Sequence, residues 1–188
     1  MRQGINRAKT ILNETRNFSQ FSDDIFYDKT IPCVFISHKS DDNLEAVRIA
    51  EFFKRNGIDV FIDVEEPDLQ KAVKSHNTNE IVQLIQMGLN NSTHLLALIS
   101  DDTRTSWWVP YEIGFAKKGG KVIASLLLKK YLYDFPDFLK VEKTMKTIDD
   151  LKQFTSQIMP VDFYSNLYYS KPQPKGAENL YNYISVYR

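Results

Sequence analysis

The chain has 188 residues, 43% hydrophobic and 26% charged, which suits one globular domain of ordinary size. Its 24 Lys and Arg balance 24 Asp and Glu, so it has no bulk charge with which to hold nucleic acid or an anionic membrane. A single Cys excludes an internal disulfide and any zinc site built on several thiolates.

The N-terminus, MRQGINRAKTILNETRN, has no apolar core of a secretory signal, and nowhere does an apolar run approach the roughly 18 residues of a membrane span. The expectation is a soluble cytoplasmic protein, without membrane or nucleic-acid partners. Residues 1–30 read as an appendage. Ile5, Ala8 and Leu12 recur at helical spacing, and SQFSDDIFYDKT follows as a linker or a docking loop.

From residue 31 the pattern becomes regular. PCVFIS is a short β-branched run that suits a buried strand, and SHKSDD ends it. Ala46, Ile49, Ala50 and Phe53 fall on one helical face between Asp42 and Asn56, with Ser40 or Asp41 as cap and Gly57 as the left-handed stop. IDVFID is the next strand. VEEPDLQKAVKSHNTNE, residues 64–80, is a long polar connection of the kind that usually has a function. Ile81, Leu84, Ile85, Gly88 and Leu89 form the clearest helical stripe, and HLLALIS follows as a strand. SWWVPYEIGFAKK reads as a helix capped by Ser106, with Pro110 tolerated in its first turn. KVIASLLL is a fourth strand. Residues 31–128 therefore alternate β and α, which predicts an α/β fold with a parallel sheet, helices on both faces and ligands outside the carboxyl ends of the strands.

Residues 129–188 are less regular and complete or flank the domain. Ile148, Leu151, Phe154 and Ile158 suit a helix after Thr147, and Leu180, Tyr181 and Ile184 a short closing helix. Eight of the ten Tyr lie from Tyr131 onward. Packing against the sheet edge is the plainer reading of that excess, and self-association the functional one.

Glu112 is the most informative position. Val109, Ile113 and Ala116 make the apolar stripe of its helix, and Glu112 lies within it, one turn after Trp108. A carboxylate there costs several kcal/mol unless it is paired or faces a cavity. A salt bridge would explain it, as would a helix rotated toward solvent. The functional reading is a carboxylate at the ligand edge, its pKa raised by partial burial against Trp108. Ser37, His38, Lys39 and Asp41 bring hydroxyl, imidazole and ammonium groups to the same edge, where they would suit phosphate or ribose or simply a solvated turn. His38, His76 and His94 are too dispersed for a metal motif, and the GxGxxG, GxxxxGK[ST] and GxSxG patterns are absent. Cys33 lies inside a buried strand, where a thiol is inert.

Taken together, VFISHKSDD, FFKRNGIDVFID, IVQLIQMGLNNSTHLLALIS and SWWVPYEIG resemble the Toll/interleukin receptor (TIR) domain family from Ile31 to Leu128. The family's Ser-x-Trp-x-x-x-Glu pattern falls on Ser106, Trp108 and Glu112. The short layout is similar to prokaryotic TIR proteins of antiphage systems, such as the signal-producing member of Thoeris defence. The resemblance implies a flavodoxin-like sheet of about five parallel strands, although no fifth strand is evident after residue 128. For the enzymatic branch it implies cleavage of the nicotinamide–ribose bond of NAD, with NAD as substrate and no cofactor or metal. Glu112 would be the catalytic glutamate, Trp108 a wall of the nicotinamide pocket, and Ser37, His38 and Lys39 part of the nucleotide-binding loop. Asp63, Asp68 and the loop to residue 80 would correspond to the loop that gates the site and mediates TIR–TIR assembly. The product would be ADP-ribose or a cyclic isomer read by a downstream effector. A non-enzymatic TIR adaptor and a nucleoside deoxyribosyltransferase-like enzyme are the alternatives.

Overall fold

The computed structural model describes residues 2–8, 30–62, 78–129, 135–160 and 173–184. Five parallel strands form one sheet: β1 (Cys33–Ser37), β2 (Asp59–Phe61), β3 (His94–Ile99), β4 (Val122–Leu127) and β5 (Lys143–Met145), in the order β2-β1-β3-β4-β5. Among the described residues, helices α1 (Asn43–Arg55), α2 (Thr78–Asn90), α3 (Trp108–Lys118) and α4 (Ile148–Ile158) flank it. This is the parallel α/β arrangement that the alternation of elements predicts, with the flavodoxin-like strand order that the family resemblance implies.

Period-2 alternation along the strands assigns the two faces. Val34, Ile36, Leu96, Leu98, Ala124 and Leu126 point to the side covered by α1 and α4. Cys33, Phe35, Leu95, Ala97, Ile99 and Ile123 point to the side covered by α2 and α3. Burial on both faces is why the strands read as continuous apolar runs. The predicted stripe of α2 is buried at all five positions, and Gly88 is required there: a Cβ would sit 2.4 Å from the Phe61 ring. Gly57 ends α1 at φ 77, in the left-handed region. α4 begins after Thr147, whose hydroxyl accepts from the Asp150 N–H at 3.1 Å while the Asp150 carboxylate accepts from the Thr147 N–H.

Three expectations differ from the structure. Residues 2–6, Ile5 among them, are not helical; among the described residues of this segment Arg7 and Ala8 are. Ile5 and Asn6 run along the free edge of β2, where the Val60 N–H donates to the Ile5 carbonyl and Asn6 bridges Val60 in parallel. Edge-strand backbone groups need partners, and that demand outweighs a three-residue apolar spacing. Neither Ser40 nor Asp41 caps α1. They lie in a 3-10 turn (Ser40–Asp42), and Asp42, at the cap position, makes no cap bond with its side chain. The fifth strand that the family resemblance implies is present as Lys143–Met145, and it leaves no periodic trace because Met145 alone of the three is buried. The closing segment is a 3-10 turn (Ala177–Leu180), after which Ile184 bridges Leu128 antiparallel. The aromatic stretch 161–172, the loop 63–77 and Leu12 lie outside the described residues.

The N-terminal segment is anchored by charge. Arg7, 2% exposed, donates Nε to Asp59 Oδ2 at 2.9 Å, Nη1 to the Asn91 carbonyl and Nη2 to the Ile31 carbonyl. Asp59 also accepts from the Ile5 N–H and pairs with Arg2 at 2.7 Å. Cys33 lies beside this pair, wholly buried, and burial pushes its thiol up to about 12 against the opposing pull of Arg7. The thiolate is the reactive form, so at about pH 8 a disulfide-exchange reagent will label Cys33 only as the chain unfolds. Rapid labelling of the native protein would contradict this placement.

Candidate functional site at the switch point of the sheet

Strand order reverses between β1 and β3: β2 lies on one side of β1, and β3 to β5 on the other. The crossovers after β1 and β3 therefore leave for opposite faces and open a crevice at their carboxyl ends, the usual ligand position in such sheets. A buried serine stands at each of these ends: Ser37 as the last residue of β1 and Ser100 directly after β3.

Ser37 is the last residue of β1. By alternation with Cys33 and Phe35 its side chain falls on the α2/α3 face, where its hydroxyl donates to Glu112 Oε2 at 2.5 Å. Glu112, 6% exposed, sits on the inward stripe of α3 with Val109, Ile113 and Ala116. Of the three explanations open for Glu112, outward rotation of the helix is excluded, because the carboxylate is inside. A short, charge-assisted bond is what a carboxylate needs there.

α3 starts at Trp108, and the Ser106 hydroxyl accepts from the Val109 N–H at 3.2 Å, so Ser106 caps the helix from two residues before its start. Pro110 falls in the first turn, where its missing N–H is unneeded. The two tryptophans separate: Trp107 precedes the helix and Trp108 opens it. Trp107 is 91% exposed. Trp108, 37% exposed, stands edge-on to Tyr111 with ring centroids 6.0 Å apart, and the Tyr111 hydroxyl accepts from Gln86 Nε2. Trp108 thus forms the rim one turn above Glu112.

His38 is held locally, Nε2 lying 2.9 Å from Asn43 Oδ1 and Nδ1 3.2 Å from the Ile36 carbonyl. Lys39 spans the crevice: Nζ donates to Thr105 Oγ1 at 2.7 Å and pairs with Asp41 at 3.1 Å. Ser37, His38, Lys39, Ser106, Trp108 and Glu112 therefore converge on one end of the sheet. Asp63 lies outside the described residues, as does Asp68.

Sequence reasoning missed a second pair. Ser100, on the opposite face from Ser37, donates to Asp42 Oδ2 at 2.5 Å, and its N–H donates to Thr103 Oγ1. Asp42 is fully buried. The signal for it was a second aspartate where one cap suffices. His94, at the far end of β3, accepts or donates at Nδ1 to Thr93 Oγ1 and packs edge-on to Phe154; burial lowers its pKa, and it is structural. Among the described residues no group of three or more His, Cys, Asp or Glu is placed to hold a metal, and no helix is long and apolar enough to cross a membrane.

No curated protein matches the chain. Solved structures with a similar fold include the TIR domain of the Toll-related receptor TRR-2 from Hydra magnipapillata, 16% identical, matched over 72% of this chain and 94% of that one with a TM-score of 0.47. The sequence pattern of the TIR domain family matches residues 34–171, from β1 through the crevice and past α4. The chain belongs to the TIR domain family.

Proposed function

We propose that the chain is an NAD-consuming enzyme that cleaves the nicotinamide–ribose bond at the β1/β3 crevice, with Glu112 as the catalytic carboxylate. The observation that carries this reading is a buried carboxylate at the switch point of the sheet, held by Ser37 and rimmed by Trp108. Breaking an N-ribosyl bond develops oxocarbenium character at the sugar, as in glycoside hydrolysis. A fixed anion beside that carbon stabilises the cation as it forms and orients the ribose hydroxyls. The nicotinamide of NAD is already cationic and leaves as a neutral base without protonation. One carboxylate then serves where glycosidases use two.

The acceptor decides the product. Water gives ADP-ribose, and an internal hydroxyl gives a cyclic isomer. A crevice that excludes water favours the second. The proposed product is a cyclic ADP-ribose-type signal, read by a separate effector in antiphage defence and made by a self-associating TIR enzyme. Purified protein incubated with NAD should release nicotinamide and yield an ADP-ribose-derived product identified by mass. No turnover at high protein concentration, with or without a phage-derived trigger, would overturn the reading. A second reading, a non-enzymatic assembly module, is favoured by the exposed Trp107 just before α3. Concentration-dependent assembly with NAD left intact would establish it instead.

A further inference from the structure

We propose that Ser37 is a positioning residue for Glu112: its hydroxyl fixes the carboxylate that faces the scissile bond, and it makes no substrate contact itself. The inference deepens the reading of Glu112 as the catalytic carboxylate and rests on it. The resemblance to the family implies a place for Ser37 in the nucleotide-binding loop. Its geometry points elsewhere. Ser37 is 1% exposed and directed beneath the loop, whereas His38 and Lys39, the next two residues, are partly open.

The two partners differ in rigidity. Ser37 belongs to the hydrogen-bonded register of the sheet, opposite Ala97 of β3, and both neighbouring strands are buried. The position of its Oγ is therefore set by the sheet. Glu112 carries three side-chain torsions on a helix, and each misaligned rotamer takes the anion away from the sugar. One charge-assisted bond from the sheet selects a single arrangement, so the ordering cost is met in folding rather than at each turnover. Ser37 as nucleophile would need an exposed hydroxyl, and this one is enclosed.

The test is steady-state kinetics of nicotinamide release by Ser37→Ala, Ser37→Cys and Ser37→Thr in the full chain, with circular dichroism as the check of fold. Ser37→Ala should lower kcat about 10–100-fold with KM changed less than about threefold, the pattern of lost orientation rather than lost binding. Ser37→Thr, which restores a hydroxyl, should recover most of the loss. If the alanine variant does not fold, Ser37→Cys, of similar size and a weak donor, should lose kcat in the same way. An unchanged kcat in folded Ser37→Ala or Ser37→Cys overturns the proposal, and so does a raised KM at constant kcat, which would make Ser37 a substrate contact. Failure of the unmutated chain to release nicotinamide overturns the catalytic reading itself, so the two failures are distinct.

Discussion

Glu112→Gln is expected to lower NAD turnover by at least about 10³-fold, equivalent to about 4 kcal/mol of transition-state stabilisation. It should leave the fold as stable as before or more so. Gln has the shape of Glu, and its amide oxygen still accepts from the Ser37 hydroxyl. What it lacks is the negative charge, and charge is what an oxocarbenium ion requires. In the folded ground state the same charge is a cost, because burying a carboxylate forfeits its hydration. Activity and stability should therefore move in opposite directions, as at sites whose strain serves function. Nicotinamide release and urea denaturation measure the two. Full turnover in a folded variant would remove Glu112 from the mechanism. A large loss of stability with no turnover in the parent would mark Glu112 as a structural latch.

The second large effect lies far from the crevice. Arg7→Ala is expected to destabilise the chain by about 3–5 kcal/mol, because it leaves a buried carboxylate short of its main partner. Asp59 would retain the half-exposed Arg2 and the Ile5 N–H, while the carbonyls of Ile31 and Asn91 would lose their donor. At a few degrees per kcal/mol for a chain of this length, the melting temperature should fall by about 10 °C. Arg7→Lys should rescue little, since one ammonium cannot reproduce a fork aimed at three acceptors. A loss below about 1 kcal/mol in urea denaturation would show that the pair contributes no net stability. The family pattern starts at Val34, so a fragment cut at that boundary would lack Arg7 and should fail to fold cooperatively.

The contrast between these sites explains what the sequence made legible. Glu112 stood out because a charge on an apolar helical stripe violates the pattern, and such a violation is visible without coordinates. Its partner was legible only as a position: Ser37 follows the first strand, but which way its hydroxyl turns depends on the pairing of β1 with β3. Arg7 and Asp59 were hidden because two polar residues that satisfy each other inside the protein look, in a linear reading, like two exposed ones. β5 was hidden for another reason. Three residues with one buried side chain have no period to detect. The helices α2 and α4 were the easiest elements, since α2 buries its full stripe, α4 buries Ile148, Leu151 and Phe154, and α4 carries its own cap.

The two serine–carboxylate pairs at the crevice have a consequence for how the site comes into being. Ser37 leaves from β1 but is satisfied by α3, and Ser100 leaves from β3 but is satisfied by Asp42 just before α1. Lys39 and Thr105 tie the same two corners together at the surface. Each half of the doubly wound sheet thus holds the missing partner of the other. A chain with only its first β-α-β unit formed would carry Ser37 and Asp42 without their mates, and the remaining half would carry Glu112 and Ser100 in the same condition. Neither half alone completes either pair. The Glu112 carboxylate therefore gains its Ser37 donor only when the two halves of the sheet have joined.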